Sequence, residues 1–577
     1  MTDPISSPTR SRLERWGMPI ALLGLAFMAM GNIIPNHFVR DDNGLIFGNE
    51  LVHHWSGVVR AFGAAYWPPE DSGELYRPLS IAWLTVQWQI GGGRELIFRL
   101  VSVAAYGASC LAVWALLKRL TTPAAAWVGA ALFAVHPVHV EAMVEAVSQS
   151  ESIVATLLCW AAAVHIDANA GRLPVGRASS LASLCFAIAL LFKEHALVLI
   201  ALFPAIDLMV DAGPGTWVAR WRQWRAHYGA LVLIAAIFWV TRGIVLGSGA
   251  GTHPAEAVAG DLLERTRTMA GVPAEWLRLF LWPAHLQDEW SLLEWVPTTT
   301  WTLRETAGLI ALLSLVLATG LAWRRRAVLA FGLIWMGICL GPVANILMPT
   351  GVVIAERTLF LPSVGLAIVI ASLVSLLEFE GRPVRPVWRV AGLTLFGGLL
   401  GLGIVRSVLR EVDWRNSIIW SVRSIELAPL SWRTHLSYGM VLASAGDSLG
   451  AQREVRAAMA LRPDDALMVK RIADQERLLA GDCFGPVLVY RELVARFPGR
   501  SDARASFVAC LAKLGRYAEA QRVAEAGVAA GPNADFYAVV ARRAGIAMRE
   551  KTPVGKWRVI YPFGNATQIG PSQAGGH

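Results

Sequence analysis

Long apolar runs recur through residues 1–411, and they limit the possible folds of the chain more than any other feature. A helix needs about 20 mostly apolar residues to cross a bilayer. Runs of this kind begin near residues 17, 96, 122, 152, 180, 196, 228, 306, 327, 358 and 390. The chain is 55% hydrophobic and only 16% charged, whereas soluble proteins carry charge on about a quarter of their residues. The sequence therefore predicts an all-α, polytopic membrane helix bundle with about 11 spans.

Basic residues are concentrated in every second connection between the predicted spans. They precede the first span and follow the second, fourth, sixth, eighth and tenth, at Arg10, Arg12, Arg15, Lys118, Arg119, Arg172, Arg177, Arg220, Arg222, Arg225, Arg324, Arg325, Arg326, Arg382, Arg385 and Arg389. Cytoplasmic loops carry an excess of Lys and Arg. The alternation therefore predicts a cytoplasmic N-terminus and, with an odd number of spans, a C-terminal region outside the cytoplasm. We interpret the first apolar run as a retained span, because no small-residue cleavage site follows it. No Lys/Arg run resembles a nucleic-acid-binding patch, so we expect no nucleic-acid partner.

A repeat begins in the last third of the chain. Prolines recur with spacings of 34, 35 and 34 residues, at Pro429, Pro463, Pro498 and Pro532. Glycines recur in the predicted turns, at Gly446, Gly481 and Gly515. A period of 34 with helix–turn–helix units is typical of tetratricopeptide repeats. Such repeats stack into an α-solenoid with an extended binding surface, so we expect a protein or peptide partner rather than a purely structural scaffold.

These patterns divide the chain into a transmembrane domain with two long outer loops, an extracytoplasmic repeat domain and a loose tail. The residues are, in that order, 1–411 with loops 36–95 and 247–305, then 412–550, then 551–577. Cys483 and Cys510 lie in the repeat domain without the spacing of a metal site, and we do not expect a disulfide between them.

Two adjacent acids, Asp41 and Asp42, stand at the start of the first outer loop. Repulsion between neighbouring carboxylates can raise the pKa of one toward the range useful to a general base. The pair could also hold a divalent cation, and the sequence leaves a metal requirement open. The alternative is a solvated interfacial turn, since Asn43 and Gly44 follow, and spacing alone favours this alternative.

Three cations of the outer loops suit a phosphate group at the membrane surface, namely Arg77, Lys193 and Arg357. A planar guanidinium binds phosphate through two parallel hydrogen bonds. A charge that interrupts an apolar stretch, as Lys193 does, is costly unless it is solvated, paired or functional. Each of the three could instead be an ordinary interfacial charge. Arg242 and Arg278 are weaker members of the same set.

Further polar residues on the outer side could shape a site. They are His136, His139, Glu141, Glu194 and Glu356, with Glu145 and Glu151 following the histidines. His136 and His139 stand three residues apart and could share a helical face. No metal template fits them, so we expect hydrogen-bonded packing and positioning of an acceptor. Glu194 could mark the outer interface, and Glu356 could orient Arg357 or another polar group.

Five motifs occur in an order that resembles a known family. They are Phe38-Val39-x-Asp41-Asp42, Tyr76-Arg77-Pro78-Leu79, His136-Pro137-Val138-His139-x-Glu141-Ala142, Lys193-Glu194-x-Ala196 and Ala355-Glu356-Arg357-x-x-x-Leu361-Pro362-Ser363-x-Gly365. Together with the repeats, they resemble the transmembrane and tetratricopeptide-repeat protein O-mannosyltransferases and their bacterial relatives. The resemblance extends from about Asn32 to Pro532.

The resemblance implies the GT-C glycosyltransferase fold and a polyprenyl- or dolichyl-phosphate sugar donor. It implies that Asp41 and Asp42 are the catalytic pair and favours Asp41 as the base, with Asp42 as its partner in acceptor or metal binding, while the choice of base between them stays open. Two departures leave the acceptor and the sugar open. Arg40 stands where the family usually has an aromatic residue, and Ser148-Gln149-Ser150-Glu151 replaces a Gly-Arg-x-Asp-like stretch.

We therefore expect an inverting transfer of a mannose-like sugar from a polyprenyl-phosphate donor to Ser or Thr hydroxyls of a protein acceptor. Alternatives are a GT-C transferase acting on a lipid or glycan, and a non-catalytic membrane scaffold that binds partners through the repeats. A transporter is disfavoured, because no paired broken spans of the inverted-repeat kind occur. Only six of the 52 basic residues are Lys, which favours a high-GC bacterium and hence an inner-membrane protein with periplasmic repeats.

Overall fold

The computed structural model describes most of the chain. The described residues are 16–68, 75–209, 216–247, 261–290, 301–346, 350, 352–379, 386–461, 470, 473, 483–529, 533–551 and 553. Every regular element within them is helical, which confirms the predicted all-α class. Several predicted features lie outside these residues, namely most of the tail 551–577, the basic residues Arg10, Arg12, Arg15, Arg382 and Arg385, and the repeat positions Pro463, Gly481 and Pro532.

The chain forms two compact units. Unit 1 comprises Met1–Asp42, Leu51–Tyr66 and Glu74–Asn416, and unit 2 comprises Asn43–Glu50, Trp67–Gly73 and Ser417–His577. The described helices of unit 1 are α1 Met18–Met30, α2 Gly57–Arg60, α3 Pro78–Gly91, α4 Glu95–Leu120, α5 Pro123–Ala134, α6 Val140–Val144, α7 Gln149–Asn169, α8 Val175–Phe192, α9 Leu199–Met209, α10 Thr216–Leu246, α11 Leu262–Met269, α12 Val272–Leu281, α13 Leu303–Trp323, α14 Ala327–Leu340, α15 Phe360–Phe379 and α16 Pro386–Val412.

Several of the described helices are long and apolar enough to cross a membrane. Seven qualify alone, namely Glu95–Leu120, Ala146–Asn169, Val175–Phe192, Gln223–Leu246, Leu303–Trp323, Glu356–Leu377 and Val387–Val412, and a bent pair over residues 123–144 would make eight. Two shorter apolar helices, Met18–Ile33 and Ala327–Val343, coincide with predicted spans. Within the described residues, the run that begins near residue 196 contains the eleven-residue α9. The chain is therefore a multi-pass membrane protein, while the number of eleven spans and the orientation stay predictions.

The bent pair positions one side of the candidate site. α5 ends at Ala134, and the chain turns by 50° before the helical segment that begins at Pro137. Proline has no N–H to donate and clashes with the preceding turn, so it cannot continue α5. The bend lets the segment from Pro137 to Val144 carry Glu141 across the end of the bundle instead of through it.

Helices α14 and α15 approach each other closely at two glycines. A Cβ atom on Gly365 would lie 2.5 Å from the Gly332 carbonyl oxygen, and one on Gly332 would lie 2.8 Å from the Gly365 carbonyl oxygen. Small residues permit such close packing between membrane helices. The contact fixes the start of α15, where Glu356 and Arg357 form a short 3₁₀ turn.

Unit 2 contains the predicted helical repeats. Its described helices are α17 Ser417–Leu427, α18 Trp432–Ser444, α19 Ser448–Leu461, α20 Phe484–Arg496, α21 Ser501–Lys513, α22 Tyr517–Ala529 and α23 Ala534–Arg549. Gly446 and Gly515 connect α18 to α19 and α21 to α22 with φ angles of 90° and 72°. Glycine adopts this left-handed conformation without the strain of a Cβ, which explains its recurrence in the turns.

The expectation for the two cysteines of the repeats was wrong. Cys483 and Cys510 form a disulfide with a Cα–Cα distance of 5.2 Å. Cys483 directly precedes α20 and Cys510 lies in α21, and these neighbouring helices bring the two residues together. Metal-site spacing rules do not detect such a pair, because the proximity arises from helix packing and not from a short sequence interval.

Candidate functional site

Arg99 holds the segment that leads to the two adjacent acids. It lies on the first turns of α4 and is fully buried. Its guanidinium donates to the backbone carbonyls of Asn36 (3.2 Å) and His37 (2.6 Å), and also to the carbonyl of Val144. At the start of the same helix, the Glu95 carboxylate accepts from the Phe38 N–H at 3.0 Å. The helix α4 thus fixes the loop that carries Asp41 and Asp42.

Asp42 is part of this anchor. Its Oδ2 lies 3.1 Å from Arg99 Nη2, and its Oδ1 accepts from the Val147 N–H at 3.0 Å. Burial raises the pKa of Asp42, and the charge of Arg99 and the Val147 N–H only partly oppose this effect. The side chain is fully buried with both oxygens bonded, so its role is to hold the loop.

Asp41 differs from its neighbour in exposure and in partners. It is partly exposed, and no hydrogen bond or ion pair engages its carboxylate within the part of the chain that the structure describes. Its negative charge nevertheless contributes to raising the pKa of Arg40 and of Glu145. Of the predicted acid pair, Asp41 is the member whose carboxylate is available to a substrate.

Glu141 and Arg357 form a two-point pair beside this acid. The Arg357 N–H donates to Glu141 Oε2 at 2.9 Å, and the Arg357 guanidinium donates to Oε1 of the same carboxylate. Glu141 is fully buried, whereas the Arg357 side chain retains 18% exposure. The pair joins the bent helical segment to the start of α15 and leaves the cation at the surface of the site.

Arg40 extends the same cluster. Its Nη1 lies 3.6 Å from Glu141 Oε1 and its Nε lies 3.7 Å from Glu145 Oε1. The guanidinium also lies over the Trp414 ring, 5.6 Å from its centroid. Burial would lower the pKa of Arg40, but Glu145, Asp41 and other nearby acids outweigh it and raise the pKa.

Glu145 is a buried carboxyl group with an altered pKa. Burial, strengthened by the charge of Asp41, raises its pKa to about 8, while Arg40 and Arg357 oppose the shift. Its Oε2 accepts from the Ser148 hydroxyl at 3.3 Å, and its Oε1 has no hydrogen-bond partner. Glu145 is therefore protonated for most of the time near pH 7.

A second group of ion pairs surrounds Arg77. Its Nε and Nη2 donate to the two Glu194 oxygens at 2.9 and 2.6 Å, and its guanidinium lies 5.0 Å from the centre of the Tyr66 ring. Burial would raise the pKa of Glu194, but Arg77 outweighs it and holds that pKa well below its usual range. Burial raises the pKa of Tyr66; Arg77 opposes this and Asp41 adds to it, so the two groups of charges interact.

Lys193 is also paired within the protein. Its ammonium group bonds Glu151 Oε1, and His195 Nε2 lies 3.5 Å from the other oxygen of that carboxylate. Burial lowers the pKa of Lys193, against the opposing charge of Glu151. Burial likewise lowers the pKa of His195 to about 4, so this imidazole is neutral at pH 7.

The two predicted histidines are bonded within the bundle. His136 Nε2 lies 3.0 Å from the Phe280 carbonyl, and its Nδ1 accepts from the Val138 N–H at 3.2 Å. His139 Nδ1 lies 2.9 Å from the Tyr106 hydroxyl, and its Nε2 lies 2.8 Å from the Ser363 hydroxyl. These contacts supply the predicted hydrogen-bonded packing.

Glu356 reaches the segment that follows α12. Its Oε1 accepts from the Gln287 N–H at 2.6 Å, and its Oε2 is buried without a hydrogen-bond partner. Among the described residues, no group of three or more His, Cys, Asp or Glu side chains is arranged to hold a metal ion. Because Asp42 is already bonded through both oxygens, a cation held by the Asp41–Asp42 pair fits this geometry poorly.

An apolar cavity of about 590 Å³ lies between α12, α13 and α14. Its lining includes Trp276, Phe280, Leu312 and Met336. Phe280 is also the residue whose carbonyl contacts His136. The cavity is wide enough to admit hydrocarbon and offers it few polar groups.

Sequence reasoning identified most members of these clusters but missed three. Arg99 carried a signal, because a charged residue inside an apolar span is expensive unless it is paired or functional. Glu145 was noted only as a neighbour of the histidines, and Arg40 only as a departure from a motif. Their proximity to Asp41 depends on the bend after α5, which the sequence did not specify.

The C-terminal part of the chain matches a family model. Residues 488–542 match the model described as "Tetratricopeptide repeat". Together with the helices of unit 2, this match confirms the predicted repeats.

The chain is similar to several protein O-mannosyl-transferases over most of its length. "Protein O-mannosyl-transferase TMTC4" of Homo sapiens is 24% identical over 492 residues, covering 74% of this chain and 64% of that protein. "Protein O-mannosyl-transferase F38B6.6" of Caenorhabditis elegans is 21% identical, covering 77% and 62%. "Protein O-mannosyl-transferase Tmtc1" of Drosophila melanogaster is 25% identical, covering 80% and 63%. These matches confirm the predicted resemblance, and the chain spans less than two thirds of the length of these relatives.

Proposed function

We propose, from the similarity to protein O-mannosyl-transferases and from the charges around Asp41, that this chain is a membrane glycosyltransferase. It moves a mannose-like sugar from a polyprenyl-phosphate donor to a Ser or Thr hydroxyl of a protein acceptor. The transfer takes place on the extracytoplasmic face and inverts the anomeric carbon. Residues 1–411 supply the donor site and residues 412–550 bind the acceptor.

The difference in burial and bonding between the two adjacent acids is the main support for this proposal. Asp42 is buried and bonded to Arg99 and to the Val147 N–H, so both of its oxygens are already engaged within the protein. Asp41 is partly exposed, and within the described residues its carboxylate has no partner. A rigid loop that presents one accessible carboxylate is what a general base requires.

The chemistry needs one base and one stabilised leaving group. Asp41 accepts the proton of the acceptor hydroxyl while the hydroxyl oxygen forms a bond to the anomeric carbon. The bond between that carbon and the phosphate oxygen breaks, and the polyprenyl phosphate leaves with the electron pair. Arg357 interacts electrostatically with Asp41 and stabilises the charge on the leaving phosphate. Arg77 and Lys193 are paired with Glu194 and Glu151, and they contribute at longer range. No step requires a metal ion.

The apolar cavity between α12, α13 and α14 suits the hydrocarbon tail of such a donor. Its lining is almost entirely apolar, and it adjoins the bent segment through the contact between His136 and Phe280. Burial of a polyprenyl chain in such a cavity is favourable because it removes apolar surface from water. The polar head of the lipid would remain near the charged clusters.

The disulfide between Cys483 and Cys510 supports the proposed location of the repeats. Disulfides persist in oxidising compartments such as the periplasm and are rare in the cytosol. An oxidised pair in unit 2 agrees with the orientation derived from the basic loops. A tetratricopeptide array in that compartment is suited to binding secreted or membrane-anchored polypeptides.

The proposal is tested by comparing glycopeptides in a host strain that lacks the gene. The strain is complemented with the wild-type chain, with Asp41→Asn or with Asp41→Glu, and membrane protein levels are matched by immunoblot. We expect hexosylated Ser and Thr peptides to return with the wild type and not with D41N. Equal glycopeptide profiles in the deletion strain and its parent would reject a protein transferase. Full rescue by D41N, with phenotypes that depend only on the repeat surface, would instead support a scaffold.

A further inference from the structure

Two arginines from distant parts of the sequence converge on one carboxylate oxygen. Arg357 bonds Glu141 Oε1, and Arg40 Nη1 lies 3.6 Å from the same oxygen. Each side chain retains slight exposure, 17% for Arg40 and 18% for Arg357. The fully buried Glu141 therefore acts as a brace that holds two cations side by side, next to Asp41.

We propose that Arg40 is a donor-binding residue, and that the phosphate group of the lipid donor lies between the guanidinium groups of Arg40 and Arg357. This inference rests on the proposed function, since that function supplies a lipid phosphate. It assigns the principal phosphate contacts to Arg40 and Arg357 and not to Arg77 and Lys193. Two guanidinium groups can share the oxygens of one phosphate through charge-assisted hydrogen bonds, which are stronger than neutral ones.

The backbone of Arg40 supports a functional role. Its φ angle is 48°, in the left-handed region that residues with a Cβ rarely adopt. Such a conformation is strained and persists only where the surrounding structure holds it. Here the hydrogen bonds around Arg99 fix the preceding residues and Asp42 fixes the following ones. This backbone conformation brings two consecutive residues, Arg40 and the proposed base Asp41, to one cluster.

Glu145 is the second carboxyl group near Arg40 and could compete with a phosphate for it. Its Oε1 is buried without a hydrogen bond and lies 3.7 Å from Arg40 Nε. This contact is too long for a hydrogen bond, so the incoming phosphate loses little by competing with Glu145 for Arg40. The pKa of Glu145 is raised to about 8, chiefly by burial, and the protonated group adds no charge that would repel the phosphate.

The alternative phosphate ligands are already occupied. Arg77 makes two short bonds to Glu194, and Lys193 is bonded to Glu151. A phosphate that recruited either cation would have to break a buried ion pair and leave a carboxylate uncompensated, which is costly. Arg40 and Arg357 differ in that both lie against one oxygen of Glu141, so either guanidinium can turn toward the phosphate while the other still compensates that carboxylate.

The test uses the full-length protein in nanodiscs and measures lipid binding by native mass spectrometry. The probes are undecaprenyl phosphate and the uncharged undecaprenol, which share the hydrocarbon tail. We expect the wild type to prefer the phosphate. Arg40→Gln and Arg357→Gln should each weaken phosphate binding by about tenfold or more, because a charge-assisted contact is lost, and should leave undecaprenol binding unchanged. Arg172→Gln serves as the matched control, since Arg172 is paired with Asp167 at the end of α7 and belongs to neither charged cluster.

Two further variants distinguish a specific loss of phosphate binding from a folding defect. Arg40→Lys keeps the positive charge and should retain part of the preference for phosphate. Glu145→Gln keeps the size and the neutrality of the protonated side chain and should bind phosphate as tightly as the wild type, a result that a misfolded protein could not give. Retained preference in R40Q with loss in R357Q would overturn the role of Arg40 alone. A wild type without preference for phosphate would count against the proposed function as well.

Discussion

Asp42 and Arg99 form an ion pair in which both side chains are fully buried, with Arg99 Nη2 3.1 Å from Asp42 Oδ2. The guanidinium also holds the backbone carbonyls of Asn36 and His37. One buried cation therefore fixes both the start and the end of the segment that presents Asp41. Asp42, the residue adjacent to the proposed base, holds the loop because the protein satisfies its charge internally.

This relationship predicts a stability defect for Asp42→Asn. The substitution leaves Arg99 buried without its counter-charge, and breaking a buried pair costs roughly 3–5 kcal/mol. We expect a clearly lowered midpoint in thermal unfolding of the purified protein, followed by intrinsic Trp fluorescence. Arg99→Met should be destabilising too, and the double variant should lose less than the sum of the two. Additive losses would mean that the two side chains do not interact.

Asp41→Asn should lower activity and leave stability unchanged, in contrast to Asp42→Asn. The side chain is partly exposed and has no partner among the described residues, so the unfolding midpoint should stay within about a degree of the wild type. Loss of a general base typically costs 10² to 10⁴ in rate. We expect a decrease of at least about 100-fold in sugar transfer, measured by single-turnover assays with a radiolabelled lipid-linked sugar. A D41N protein that is inactive only because it is unfolded would argue against the assignment.

The fold could be predicted from the sequence to the extent that it depends on local patterns. Apolar runs marked the membrane helices, and the 34-residue period marked the repeats, because both are properties of short segments. The number of spans was harder to derive. The run from residue 196 begins within a 3₁₀ segment, Glu194–Val198, and the α-helix that follows in the described part of the chain contains Pro204 and has eleven residues.

The candidate site was predicted as a set of residues and not as an arrangement. Asp41, Glu141 and Arg357 were each identified from a motif, and the structure brings them into one cluster. Their pairing could not be derived, because ion pairs between residues 216 positions apart, such as Arg357 and Glu141, depend on helix packing. For the same reason the sequence assigned Arg77 and Lys193 to a ligand, although Glu194 and Glu151 already compensate them.

The raised pKa of Glu145 predicts a pH-dependent stability. Burial and Asp41 raise the pKa from 4.5 to about 8, against the charges of Arg40 and Arg357, while Asp42 adds to the rise. Between these two values the folded state keeps a proton that the unfolded chain has released, so stability falls as the pH rises through this window. Glu145→Gln cannot lose that proton. The difference between the unfolding midpoints of E145Q and the wild type should increase in favour of E145Q from about pH 5 to about pH 8, and it should be constant at higher pH.

The outcome that contradicts this prediction is also specific. A difference in midpoint between E145Q and the wild type that is the same at all pH values would mean that Glu145 has an ordinary pKa. Glu50, which is exposed, offers a matched control. Glu50→Gln should show no change in its difference from the wild type over the same range.

The disulfide of the repeats predicts a redox-dependent stability for unit 2. Cys483 and Cys510 are separated by 27 residues, and a cross-link over a loop of this size stabilises a domain by about 2–4 kcal/mol, in large part by restricting the unfolded chain. Reduction with dithiothreitol, or Cys483→Ser, should therefore lower the unfolding midpoint of the repeats. Because either single substitution already abolishes the disulfide, the double serine variant should be no less stable than either single one. The four other cysteines, Cys110, Cys159, Cys185 and Cys339, are free thiols, so alkylation mass spectrometry of the protein from intact membranes should label those four after denaturation and spare the pair. Labelling of all six would place the repeats in a reducing compartment and contradict the orientation proposed for the chain.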